Sequence, residues 1–206
     1  MNKPFEKNHL PLFPLNTVIF VNGILQLQIF EQRYLNMIKT CMRNQHGFIA
    51  VLIRHGNEVN DIPEIYSTGT YVEIIDWDSL DNNLLSISIK GRQRVHINHT
   101  EIHDDKLISA DINYLDNLKA EATDLIDEDL VNLLQALHKH PFVSAKYPDI
   151  DYTLLLDITY KLCELLPSSN TEKQMLLESS QTSTLLEQLK TIVNRLENLA
   201  PDADFL

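Results

Sequence analysis

Residues 23–43, GILQLQIFEQRYLNMIKTCMR, change hydrophobic period once, and that change decides how the chain is read. From Leu25 to Ile29 apolar and polar residues alternate, so Leu25, Leu27 and Ile29 share one strand face and Gln26 and Gln28 the other. From Phe30 on, the apolar residues are Phe30, Tyr34, Leu35, Met37, Ile38, Cys41 and Met42, at the three-to-four spacing of an amphipathic helix. A strand therefore feeds directly into a helix. Glu31 is expected in its first turn and Lys39 and Arg43 in its last, the order the helix dipole favours. Gly47 is expected as its left-handed cap.

Working outward, residues 10–20 are apolar but hold Pro11 and Pro14, which suits an edge strand. Residues 48–53 are continuously apolar and predict a strand buried on both faces. A loop around Pro63 is expected over 57–67, then alternating strands over 70–77 and 84–89, with Asp81-Asn82-Asn83 as a turn. Gly91 is read as opening another strand, and residues 106–114 as the last, after a turn at His103-Asp104-Asp105. Some six or seven short strands with one early helix predict a small, closed or partly closed β-structure over 10–115. Residues 116–123 read as a linker. Beyond them strand signals stop, and leucine-rich stripes recur over 124–140, 151–166 and 184–199. A short helix precedes the last of these, opened by a Ser169–Glu172 capping box. Four such helices predict a bundle over 124–200, making the fold class α+β.

The net charge of −12 argues against a nucleic-acid binder, which gains affinity by neutralising phosphates with Lys and Arg, and makes a poor match for anionic lipid. Cys41 and Cys163 lie on apolar helical faces and are expected as buried free thiols. No apolar run reaches the roughly 18 residues of a membrane span, and none behind Met1 suits a signal peptide, so a cytoplasmic protein is expected. None of the five glycines precedes a lysine, so no phosphate-binding loop is present and no cofactor is expected. His99-Thr100-Glu101-Ile102-His103 departs from the zinc-protease pattern, because Glu101 is displaced and the context is strand and turn; no metal site is expected. His138 and His140 lie at a helix end, where they offset its dipole.

Leu12-Phe13-Pro14-Leu15, Val18-Ile19-Phe20 and Leu25 to Tyr34, in that order and at those gaps, resemble the opening of the Lon protease N-terminal, substrate-binding domain family. Two positions depart: Val21 and Gln32 stand where the family often has proline, which alters turn rigidity and removes no chemical group. The likeness continues through Gly69-Thr70, the stretch from Leu84 to Val95, and Leu162-Cys163-Glu164-Leu165-Leu166-Pro167, so it covers about residues 10–199. It implies a PUA-like β pseudo-barrel followed by a helical bundle, in a stand-alone form without ATPase or Ser–Lys protease domains. It further implies a non-catalytic module for unfolded or extended polypeptide segments, working in quality control with a protease or chaperone as candidate partner. Candidate surfaces are the cleft between barrel and bundle and any open strand edge. Arg33, Tyr34, Trp77 and Arg94 are the candidate peptide-binding residues. Structural roles compete: an ion pair with Glu31 or a bond to a strand carbonyl for Arg33, core or rim packing for Trp77, and one of Arg92 and Arg94 facing solvent. A PUA-like nucleic-acid binder and a small-molecule protein or enzyme are the alternatives.

Overall fold

The structure is a computed structural model, and it describes residues 8–57, 62–79, 84–120 and 126–199. The chain divides into two compact units, Met1–Asn117 and Leu118–Leu206. In the first, the order is β1 (His9–Leu15), β2 (Ile24–Ile29), α1 (Gln32–Asn44), β3 (Phe48–His55), β4 (Glu64–Ser79), β5 (Leu85–Ile102) and β6 (Ile108–Tyr114). The strands run β2-β5-β4-β3-β1-β6 across the sheet, and β6 pairs back onto β5. That last pairing closes β5, β4, β3, β1 and β6 into a barrel and leaves β2 outside the ring, as the pseudo-barrel expectation requires.

The long strand β5 organises the unit. Its first part, residues 85–90, pairs with β2 and with the outer part of β4, forming a three-stranded extension of the barrel. Its remainder pairs with the inner part of β4 and with β6. The sequence suggested a break at Gly91, but one strand runs through it. The Gly91 N–H donates to the Gly23 carbonyl and its carbonyl accepts from the Asn22 N–H, both at 2.9 Å. A Cβ there would overlap the Phe20 carbonyl oxygen. This glycine marks a close backbone approach, not a strand end.

The two faces of β3 are both buried, as its apolar run predicts, and they serve different cores. Ile49 and Val51 turn into the barrel with Leu10, Leu12, Val95, Ile97, Ile108, Ala110 and Ile112. Phe48 and Ala50 face α1, where Tyr34, Met37, Ile38 and Cys41 pack with Phe13, Ile87 and Ile89. Phe30 is not part of that stripe: it precedes the helix and is 56% exposed. Glu31 is the N-cap, not a first-turn residue, and its carboxylate makes no cap bond.

Other local expectations are corrected. β1 lies inside the sheet, not at an edge; its first half pairs with β6 and its second with β3, so each half has a ladder on one side only. That is where Pro11 and Pro14 are tolerated. The left-handed cap of α1 is Gln45, at φ 53°, while Gly47 is small because a Cβ would overlap the Val72 carbonyl oxygen. β4 begins at Glu64, inside the expected loop. The expected turn at 81–83 lies outside the described residues.

The second unit holds α2 (Glu128–His138), α3 (Pro141–Lys146), α4 (Leu155–Leu165), α5 (Asn170–Glu178) and α6 (Thr182–Leu199), five helices among the described residues where four were expected. Pro141, just past the stripe over 124–140, starts a helix of its own; its fixed φ suits the first turn of α3 behind the N-cap His140. α4 starts at Leu155, later than expected, because Asp151 holds the Thr153 N–H and hydroxyl in a turn. The Ser169–Glu172 capping box is present in both directions. Leu130, Leu134, Ile158, Leu162, Leu185, Leu189 and Ile192 are buried. Residues 121–125 and 200, which belong to the expected linker and bundle, lie outside the described residues. No helix among the described residues is long and apolar enough to cross a membrane.

Candidate functional site

The three-stranded extension has two lateral edges, and each lies beside one end of α1. On one side β2 pairs only with β5. On the other, β3 leaves β4 after Val72, so residues 73–79 pair only with β5 among the described strands. An open edge presents outward N–H and C=O groups and is a template for a further strand.

At the N-terminal end of α1, Arg33 gathers several polar groups. The Arg33 guanidinium pairs with the Glu31 carboxylate at 3.0 Å and donates to the Lys106 carbonyl at 2.8 Å. It also stands 4.6 Å from the centre of the Tyr34 ring, which in turn packs 4.2 Å from Phe13. Lys106 has φ 64°, in the left-handed region, so Arg33 holds the carbonyl of a tightly turned residue between β5 and β6. A hollow of about 440 Å³ lies here, lined by Phe30, Gln32, Arg33, Asn36, Asp105 and Lys106 among others.

At the C-terminal end, exposed apolar side chains lie against a strand edge. The β4–β5 register shifts between Ile74 and Asp76, a bulge with Ile75 as the extra residue. The shift places Trp77 opposite Ile87, whose other neighbour is Leu27. Without it, Trp77 would fall opposite Ser86, on the other face. The bulge therefore turns Trp77 to the α1 side. There a hollow of about 450 Å³ is lined by Met42, Gln45, His46, Ile75 and Trp77, with Cys41 in its wall. Met42 is 37% exposed, Ile75 44% and Trp77 55%, so all three offer apolar surface to a ligand. Burial pushes the Cys41 thiol up to about 12, so it is a neutral, unreactive part of that wall.

Of the sequence candidates, Arg33 and Tyr34 are neighbours, and both are buried. Trp77 sits by the opposite end of the helix. Arg94 is on the barrel part of β5, buried, with its guanidinium donating to the Asp116 carbonyl at 3.0 Å. Arg92 is the more exposed of that pair and bonds Glu73 at 2.7 Å. Met42 and Ile75, which line the hollow with Trp77, were not singled out in the sequence. The one available signal was the adjacent pair Ile74-Ile75, where strict alternation breaks.

The family description "ATP-dependent protease La (LON) substrate-binding domain" matches residues 9–195. The chain belongs to this family. Among relatives of this Lon domain, the Lon protease of Parabacteroides distasonis is 24% identical over 196 residues, which cover 90% of this chain and 24% of that protein. Lon protease 1 of Bacillus subtilis is 24% identical over 197 residues, covering 91% of this chain and 25% of that protein. The chain thus spans about a quarter of the length of these curated relatives. The crystal structure of a Lon N-terminal domain protein from Xanthomonas campestris superposes with a TM-score of 0.65 at 25% identity, covering 89% of this chain and 97% of that one. The N-terminal domain of Mycobacterium avium complex Lon protease shares the fold at a TM-score of 0.59 and 14% identity, covering 90% and 96%.

Proposed function

We propose that this Lon-family chain binds extended, apolar segments of unfolded polypeptide by strand addition at the outer edge of β4. The observation that carries the reading is the coincidence, at residues 73–79, of an open strand edge with the exposed side chains of Met42, Ile75 and Trp77. Backbone pairing supplies affinity without regard to sequence, and every second client side chain can seat against the apolar trio. Asp76 and Asp78 flank the edge, so neutral or basic clients are favoured over acidic ones. Arg33 and Tyr34 serve by holding the junction from which the second open edge, β2, projects. Arg94 is engaged by Asp116 and is left out of the contact set. A module of this kind presents clients to a protease or chaperone that performs the energy-dependent steps. Arg54 and Arg92 pair with Glu64 and Glu73, and Arg94 is buried, which supports setting a nucleic-acid role aside.

Trp77 is the only tryptophan of the chain, so its emission reports on the site. Titration with a reduced, carbamidomethylated, tryptophan-free polypeptide is expected to shift that emission to shorter wavelength, at low and high salt alike. Ile75→Ser and Trp77→Ala are expected to weaken binding of the labelled polypeptide tenfold or more, about 1.4 kcal/mol, as read by fluorescence anisotropy. An unchanged emission with flat anisotropy would sink the proposal. Retention of RNA with affinity falling steeply with salt would replace it with the nucleic-acid reading.

A further inference from the structure

Where β1, β5 and β6 meet to close the barrel, alternation sends Ile108, Ala110 and Ile112 inward and Ser109 and Asp111 outward. On that outward face β1 places His9 opposite Asp111, and β5 places Glu101 opposite Ser109, with His103 following in the turn. His9 Nδ1 is 2.7 Å from Asp111 Oδ1, and His9 Nε2 is 2.7 Å from Ser109 Oγ and 3.9 Å from Glu101 Oε2. His103 Nε2 reaches the same Ser109 Oγ at 2.8 Å. One ligand atom from each of His9, Glu101 and His103 lies within 4.8 Å of the other two.

We propose that His9, Glu101 and His103 form a binding site for a divalent transition-metal ion of the zinc class. Two imidazole nitrogens and one carboxylate suit zinc, nickel or cobalt, whereas calcium and magnesium call for oxygen donors throughout. Asp111 strengthens the assignment. By accepting the Nδ1–H of His9 it fixes the tautomer in which Nε2 carries the lone pair, the arrangement by which outer carboxylates orient metal-bound histidines. The Ser109 hydroxyl, set between the two Nε2 atoms, donates to His9 and accepts from His103. Metal binding exchanges this bridge for two nitrogen–metal bonds and draws His103 into its Nδ1–H form. Three protein donors leave a further position for water. The bound ion would tie the start of β1 to the end of the β5–β6 hairpin.

Ser109, His9 and Asp111 also have the distances of a Ser–His–Asp triad. Ser109 is fully buried and shared with a second histidine, so its oxygen cannot reach a substrate carbonyl.

The test is calorimetric titration of the full chain with Zn²⁺, with thermal unfolding alongside and Co²⁺ as a spectroscopic reporter. One ion per chain is expected, with a raised Tm because the ion binds only the folded state, and with visible cobalt absorption typical of nitrogen and oxygen ligands. His9→Gln, Glu101→Gln and His103→Gln are expected to abolish these signals, and His99→Gln and His138→Gln to keep them. Asp111→Asn is expected to weaken binding by roughly 10- to 100-fold. Glu101 is 61% exposed, so Glu101→Gln tests ligation without disturbing the fold, with the metal-free Tm as the check. Absence of saturable Zn²⁺ and Co²⁺ binding overturns the proposal. So does binding that survives Glu101→Gln and His103→Gln unchanged.

Discussion

At the N-terminal end of α1, Arg33 is 6% exposed and its guanidinium is taken up by a carboxylate, a carbonyl and an aromatic face. At the C-terminal end, Met42 and Trp77 stand in solvent beside a strand edge. A buried, paired charge marks the N-terminal end, where Phe30 is exposed beside it, and three exposed apolar side chains at a strand edge mark the C-terminal one. A buried charge persists only where partners offset its lost hydration, so such a residue is committed to the fold. An exposed aromatic just past a bulge has no such commitment, and on the proposed reading the contrast separates the residues that build this domain from those free to bind.

The comparison breaks most readily at Arg33. Arg33→Ala strands the Glu31 carboxylate, 17% exposed, and the Lys106 carbonyl; a loss of about 3–5 kcal/mol is expected from urea denaturation. A loss below about 1 kcal/mol would place Arg33 with ordinary surface pairs and erase the contrast. Glu172 of the second unit sharpens it by offering the same ion-pair chemistry nearer to solvent. Its carboxylate bonds Arg195 and the Ser169 N–H and hydroxyl, and Glu172→Gln is expected to cost only about 1 kcal/mol. Those partners, Arg195 first and then Ser169, lower its pKa from 4.5 to about 2. Because the folded form binds protons less readily, this contribution is complete above pH 4.5 and fades as pH falls from there through about 2. Acid titration of the helical signal, wild type against Glu172→Gln, should therefore converge below that window. The smallest stability change is expected at Trp77, where Trp77→Ala should shift stability by about 1 kcal/mol or less while weakening polypeptide binding tenfold or more. A large loss of stability there would make Trp77 a building residue after all.

Local signals carried much of the fold. The period change from Leu25 to Phe30 is the β2–α1 junction, and the Ser169–Glu172 box opens α5, because both depend on residues within a few positions of each other. Gly47 and Gly91 were misread for the opposite reason. Their smallness answers backbone from Val72 and Phe20, distant in the chain, and nothing beside them in the sequence says so. The short helix α3 went unseen because its six residues, from Pro141 on, are too few to show an apolar stripe. In the candidate site, Trp77 stood out by residue type, but its companions Met42 and Ile75 depend on where β3 leaves β4 and on a bulge. Glu101 and His103 were visible together, while the histidine that joins them is on β1 and meets them only through barrel closure.

That closure also has a consequence in time. β1 leaves the ribosome before the other strands of this sheet, and its partner β6 follows about a hundred residues later, with Leu10 finally opposite Ala110. At synthesis rates of about 5–20 residues per second, the interval is on the order of 5–20 s. Throughout it, half of β1 is a nascent strand without its neighbour, exposed to the strands of other chains on the same message. Pro11 and Pro14 each withhold a hydrogen-bond donor from such a false partner, and in the finished barrel they fall where the ladder does not need one on both sides.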